Sequence, residues 1–177
     1  MITIRSANQS EFELLSILGR RAFYEAFGGH NDPQDMQAYL DLAFSPDTIR
    51  KQLEDPDVIY FIACYQDDPV GYAKLKRNTA PPELNEKKCV QLERIYALQA
   101  YIGKKIGKAL MEKCLETARE ENFEYMWLGV WQENERAISF YKQWGFEVIG
   151  FKQFIIGNEV NDDFVMALKI VENQVTY

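Results

Sequence analysis

The chain has 177 residues, 47% of them hydrophobic, which is enough to bury a full core and short enough for one domain spanning residues 1–177. Its 20 Lys and Arg against 27 Asp and Glu give a formal charge of −7, which argues against nucleic acid or an anionic membrane surface as the main partner. Cys64, Cys89 and Cys114 are widely spaced without a Cys-x-x-Cys, and His30 is the only histidine, so a disulfide framework and a metal centre are not expected.

Ile2 to Arg5 alternates as a strand should, and Asn8-Gln-Ser-Glu offers a cap to a helix carrying Phe12, Leu15, Leu18 and Phe23. The Met1 end has neither a basic start nor an apolar run of secretory length, and no segment reaches the about 20 apolar residues of a membrane helix, so a cytoplasmic location is expected. Gly28-Gly29 ends the first helix. A loop with His30, Asn31 and Asp32 leads to a second helix through Met36, Tyr39, Leu40 and Ala43, and Ser45-Pro46-Asp47-Thr48 caps a third.

Val58 to Tyr65 and Val70 to Lys76 read as a hairpin turning at Gln66-Asp67-Asp68-Pro69, with Asn78 to Lys88 a surface loop after it. Cys89 to Leu98 is the next strand. Ile106, Leu110, Cys114 and Ala118 then mark one long amphipathic helix, followed by a strand from Glu124 to Val130. Ala137, Phe140, Tyr141 and Trp144 lie at helical spacing and end at Gly145, and the strands Val148 to Ile156 and Val160 to Leu168 pair through Gly157-Asn158-Glu159. The order predicts an α/β or α+β fold with a mixed sheet and helices on both faces.

The segment Leu92 to Gly107 runs a strand into a Gly/Lys turn that opens a helix. Unpaired N–H groups and the positive end of the helix dipole meet there, which suits an anionic group such as phosphate. Leu92-Glu-Arg-Ile-Tyr, Tyr101-Ile-Gly-Lys-Lys-Ile-Gly-Lys-Ala-Leu-Met and Asn134-Glu-Arg-Ala-Ile-Ser-Phe-Tyr-Lys-Gln-Trp-Gly-Phe together resemble, in order and spacing, the cofactor-binding core of the GNAT N-acetyltransferase superfamily. Phe23-Tyr-Glu-Ala-Phe-Gly, with Tyr39-Leu and Ala43-Phe44 downstream, is similar to its PaiA-type branch of polyamine acetyltransferases.

The resemblance implies a mostly antiparallel sheet of six to seven strands, splayed between the strands ending near Ala97 and Val130, with acetyl-CoA as cosubstrate and no metal. Gly103, Lys104, Lys105, Ile106, Gly107 and Lys108 are the implied pyrophosphate binders; Ile95, Tyr96 and Ala97 pair by their backbone with the pantetheine arm, and Asn134 holds it by its amide. The family pattern has a polar residue and a glycine where this chain has Ile102 and Lys105, and Lys105 cannot take positive φ as cheaply as glycine.

Acetyl transfer to an alkylamine, whose pKa is near 10, needs a proton acceptor and a donor for the departing thiolate. Glu93, two residues before Ile95 and so expected on the same strand face, matches the acidic base of spermidine/spermine acetyltransferases. Tyr141 matches the acid. Tyr24, Glu25 and Phe27, with Glu93, are the expected acceptor wall, joined by Asp32 and Asp35, and suit a polyamine such as spermidine or spermine. A peptide N-terminus or another amine is the alternative acceptor, and a non-catalytic acyl-CoA-binding regulator is the alternative class. Partners are thus a small amine, without nucleic acid or membrane, and a homodimer is left open.

Overall fold

A run of β-branched and aromatic residues forms β2 (Val58–Tyr65), and β3 (Asp68–Arg77) returns antiparallel beside it. The computed structural model describes residues 1–171; the single domain expected over 1–177 includes residues 172–177, which lie outside the described residues. The β2–β3 turn is tighter than the four residues expected. Gln66 and Asp67 both take positive φ (49° and 72°), as a two-residue hairpin requires, so Asp68 and Pro69 belong to the strand. Pro69 faces Cys64 at a register shift, where a strand tolerates a missing N–H.

β1 (Ile2–Ser6) covers the other edge of β2, and β4 (Cys89–Ala97) pairs with β3, all antiparallel. β5 (Tyr125–Trp131) joins β4 in parallel, and β6 (Glu147–Ile156) and β7 (Glu159–Lys169) complete a seven-stranded sheet in the order β1-β2-β3-β4-β5-β7-β6. This is the mixed, mostly antiparallel α/β sheet expected.

Alternation along β2 divides the core in two. Phe61 and Ala63 face α4 (Ile106–Glu120), whose Leu110, Met111, Cys114 and Ala118 are buried, while Tyr60, Ile62 and Cys64 face α1 (Phe12–Phe27), α2 (Pro33–Ala43) and α3 (Pro46–Glu54). α5 (Glu135–Gln143) packs on the α4 side through Ala137, Ile138, Phe140 and Tyr141. Asn8 and Ser45 cap as expected, each side chain accepting a backbone N–H at 3.1 Å, from Ser10 and Thr48. A short 3-10 turn, Gln9–Glu11, precedes α1.

Two irregularities in β4 make the site. β4 and β5 pair only over Cys89–Gln91 with Tyr125–Trp127 and then diverge, so the backbone of β4 beyond Gln91 has an open edge toward β5. The β3–β4 register also slips, with Lys74 opposite Arg94 and Leu75 opposite Leu92, leaving Glu93 as an inserted residue. Leu92 and Ile95 therefore both pack into the α4-side core, although three residues apart. Glu93 instead pairs with Lys74, whose ammonium lies over the Tyr60 ring on the α1 side. Glu93 and Ile95 do not share a face, contrary to the simple alternation expected, because the bulge breaks it.

Candidate active site

The splay opens a cleft of about 1110 Å³ that runs from the start of α4, along β4 and α5, to the α1–α2 loop and the β6–β7 hairpin. Ile95, Tyr96, Ala97, Gly103, Lys105, Ile106, Gly107, Lys108, Asn134, Tyr141, Glu93, Glu25 and Phe27 all line it. Most of the residues singled out from the sequence thus meet in one place.

At the α4 end the chain builds a nest for an anion. Gly103 and Lys105 both hold left-handed backbone, φ 87° and 66°, and no side chain caps the helix. The first N–H used by the helix is that of Ala109, donating to Lys105 O at 3.1 Å; among the described residues those of Ile106, Gly107 and Lys108 have no backbone partner. Lys105 therefore does adopt the left-handed conformation that glycine takes more cheaply. Lys104 is a correction. Its N–H donates to Tyr101 O, and its ammonium lies 5.3 Å from the centre of the Tyr65 ring, outside the cleft lining.

On α5, Asn134 lines the cleft and accepts the Ala137 N–H at 3.2 Å through Oδ1, so that its amide N–H₂ is not used by the cap. Tyr141 sits between Phe140 and Phe146, ring centres 5.6 and 5.8 Å away. Burial, with smaller effects from Tyr96 and Cys114, pushes its phenol well above the ordinary value, so it stays protonated through the neutral and mildly alkaline range.

The acceptor end is less acidic than expected. Glu93 is engaged by Lys74, whose ammonium is itself lowered below the usual lysine range by burial, partly offset by Glu93. Glu25 accepts the Gln99 N–H at 2.7 Å and pairs with Arg21 at 3.0 Å, tying α1 to the turn after β4. Phe27 makes an edge-on contact with Tyr96, ring centres 6.2 Å apart. Tyr24 is a second correction: it is 58% exposed on the outer face of α1 and does not reach the cleft. Asp32 is spent capping α2, and Asp35 lies against Gly157 and Asn158 in the β6–β7 turn.

Several cleft residues were not among the expected site residues. Arg94 lies 4.4 Å over the Phe44 ring, and His30 sits edge-on to Trp131 with ring centres 5.0 Å apart. Gly129 is the small residue that makes room for Lys152 and Asp163, since a Cβ there would lie 2.8 Å from Lys152 Nζ and 3.3 Å from Asp163 Oδ2. Asp163 is buried, and that burial, only partly offset by Lys152, lifts its carboxyl to about 6. The signal for it was present, because Asp163 alternates with the buried Val165 and Ala167 on one face of β7. Arg136 also reaches the cleft from the first turn of α5. Among the described residues, none of the side chains lining the cleft is Cys, Ser or Thr, and all three cysteines are buried elsewhere.

Comparison with known proteins gives this arrangement a context. The sequence model of the Acetyltransferase (GNAT) family matches residues 19–146. An uncharacterized N-acetyltransferase of Mycobacterium tuberculosis is 32% identical over 139 residues, covering 78% of this chain and 85% of that protein. Another, from the pepI 3' region of Lactobacillus delbrueckii subsp. lactis, is 26% identical over 170 residues, covering 96% and 98%. Among solved structures, the PaiA N-acetyltransferase of Thermoplasma acidophilum in complex with coenzyme A superposes with a TM-score of 0.78 at 21% identity, over 96% of this chain and 99% of that one. The ribosomal-protein-S18-alanine N-acetyltransferase of Escherichia coli does so with a TM-score of 0.71 at 19% identity, over 100% and 99%.

Proposed function

The chain belongs to the acetyltransferase (GNAT) family, and from that premise we propose that it acetylates a primary amine of a small acceptor by direct attack within the cleft. It is an N-acetyltransferase, and its cosubstrate is acetyl-CoA. The observation that carries the proposal is the continuity of one cleft. An uncapped helix start with free N–H groups, an open strand edge, a buried phenol and a carboxylate all face the same space.

The residues present fit the cosubstrate. The N–H groups of Ile106, Gly107 and Lys108, backed by Lys105 and Lys108, suit a pyrophosphate, and the open edge of β4 at Ile95 to Ala97 suits the amides of an extended arm. Bound acetyl-CoA supplies an acetyl group activated as a thioester. Glu93 then accepts the amine's proton, directly or through water, and Tyr141 donates a hydrogen bond and finally its proton toward the departing sulfur. With its pKa raised by burial, Tyr141 is a weaker acid than an exposed phenol, so that transfer favours a sulfur that shares the same dry surroundings.

The acceptor is the finer question. A polyamine is supported by the buried Asp163 and by the aromatic surfaces of Phe23, Phe27, Tyr39 and Trp131 along the cleft. It is weakened by the cations already held against Glu93 and Glu25, which leave the acceptor end without a free acidic wall. Release of free thiol from acetyl-CoA, followed across a panel of polyamines, amino acids, peptide N-termini and simple alkylamines, tests the reading. Acceptor-dependent release supports it; none with any amine, while CoA still binds, would leave a non-catalytic acyl-CoA-binding module in its place.

A further inference from the structure

At the base of the acceptor end, a permanent cation has no anionic partner. Arg94 comes from the β4 bulge, one residue before Ile95, and lines the cleft. Its Nη1 is fully buried and has no hydrogen-bond partner, and among the described residues no carboxylate lies within ion-pair distance of the guanidinium. Glu93 next to it is turned to Lys74. Beneath is the Phe44 ring, and around it stand Tyr72, Tyr60, Tyr39 and Tyr96, of which Tyr72 has a fully buried hydroxyl also without a partner. The Tyr60 hydroxyl is occupied in donating to Gln52 Oε1 at 2.5 Å.

A guanidinium cannot shed its charge, and leaving it desolvated without an anion is costly; a π contact and hydroxyl dipoles offset only part of that. Its flat fork of donors matches a carboxylate held by two parallel hydrogen bonds, a match a lysine would not provide. The same cation would repel a second ammonium group on the acceptor.

We infer that the acceptor carries a carboxylate as well as its amine, with Arg94 holding the carboxylate at the floor of the cleft while the amine reaches the bulge of β4. The acceptor is then amino-acid-like rather than a polyamine. Tyr39, which lines the cleft beside Arg94, adds a hydroxyl that can donate to the same anion, and Asp163 lines the same cleft as a carboxylate that can meet the amine. An amine bearing a small phosphate presents related chemistry and is separated in the test. The inference rests on the proposed amine acetylation and narrows its substrate.

The experiment compares matched acceptors in the wild-type enzyme: an α-amino acid, its carboxamide, the amine lacking the carboxyl, an aminoalkyl phosphate and spermidine. Two readouts are taken, kcat/KM from thiol release and equilibrium binding of each acceptor to the CoA-loaded enzyme by calorimetry. The amino acid is expected to exceed its carboxamide in both by about 10- to 100-fold, the scale of charge-assisted hydrogen bonds to one carboxylate. In Arg94→Gln that ratio should collapse toward one, and Arg94→Lys should restore part of it. A dominant aminoalkyl phosphate would make the anion a phosphate and overturn the carboxylate assignment. A preference for spermidine or the carboxamide, or an unchanged ratio in Arg94→Gln, would overturn the subsite. Binding preference without turnover of any acceptor would uphold the subsite and reject acetyl transfer, so the two failures are distinct.

Discussion

The buried ammonium of Lys74 is held by the carboxylate of Glu93 across the β3–β4 ladder, at the bulge that turns Glu93 off the face of Ile95. The pair gives Glu93 two duties. It neutralises a desolvated cation, and in the proposed mechanism it also takes the acceptor's proton.

The two duties separate by mutation. Glu93→Gln should lower kcat/KM by about 100-fold or more, as loss of a general base does, and should also destabilise the fold by about 3 kcal/mol because Lys74 is left unpaired. Adding Lys74→Met should restore the urea midpoint without restoring activity. If the double variant regains turnover, Glu93 is a structural partner and not the base.

Tyr141→Phe removes only a hydroxyl from a ring that keeps its contacts with Phe140 and Phe146. Its kcat should fall by about 100- to 10,000-fold, with the dissociation constant for CoA little changed in a fluorescence titration. A matching loss of CoA affinity would assign Tyr141 to binding.

Lys105 holds left-handed backbone at φ 66°, a conformation that costs a non-glycine residue about 1–2 kcal/mol. Lys105→Gly should raise the melting temperature, by a gain of about 0.5–1 kcal/mol after the extra flexibility of unfolded glycine is counted. Lys105→Ala keeps the strain and should not. Both remove a cation, so any common rise in the KM for acetyl-CoA measures the charge alone.

Asp163 has its carboxyl raised from 3.8 to about 6 by burial, so the native state binds its proton more tightly than the unfolded chain. The stability it contributes is full below about pH 4 and is lost as the pH rises through 6. Asp163→Asn should therefore be more stable than wild type at pH 7, by up to about 3 kcal/mol, and the two should converge below pH 4. Urea denaturation at pH 3.5, 5.5 and 7.5 checks the sign; a deficit at pH 7.5 would mean that the charged carboxylate is paired in the native state.

Much of this was written locally in the chain. The helix α4, with its stripe of Ile106, Leu110, Cys114 and Ala118, and the turn before it follow from short-range pattern, and both lie where expected. The Asn134 to Phe146 motif placed Tyr141 on the cleft for the same reason. What escaped depends on register, which no local pattern fixes. The bulge at Glu93 cannot be read from alternation, and it decides that Glu93 meets Lys74 and that Arg94 points at Phe44. Tyr24 falls on the exposed side of α1, and the Lys104 ammonium lies over the Tyr65 ring outside the cleft lining, contacts that spacing along the chain does not determine. Lys152 and Asp163 meet above Gly129 only after β7 is inserted between β5 and β6.

The central claim is direct transfer in one cleft whose lining, among the described residues, offers no Cys, Ser or Thr to carry the acetyl group. Initial rates of thiol release, with acetyl-CoA and acceptor varied together, test it most directly. Intersecting double-reciprocal lines are the predicted result. Parallel lines, the signature of an acetylated enzyme, would contradict it.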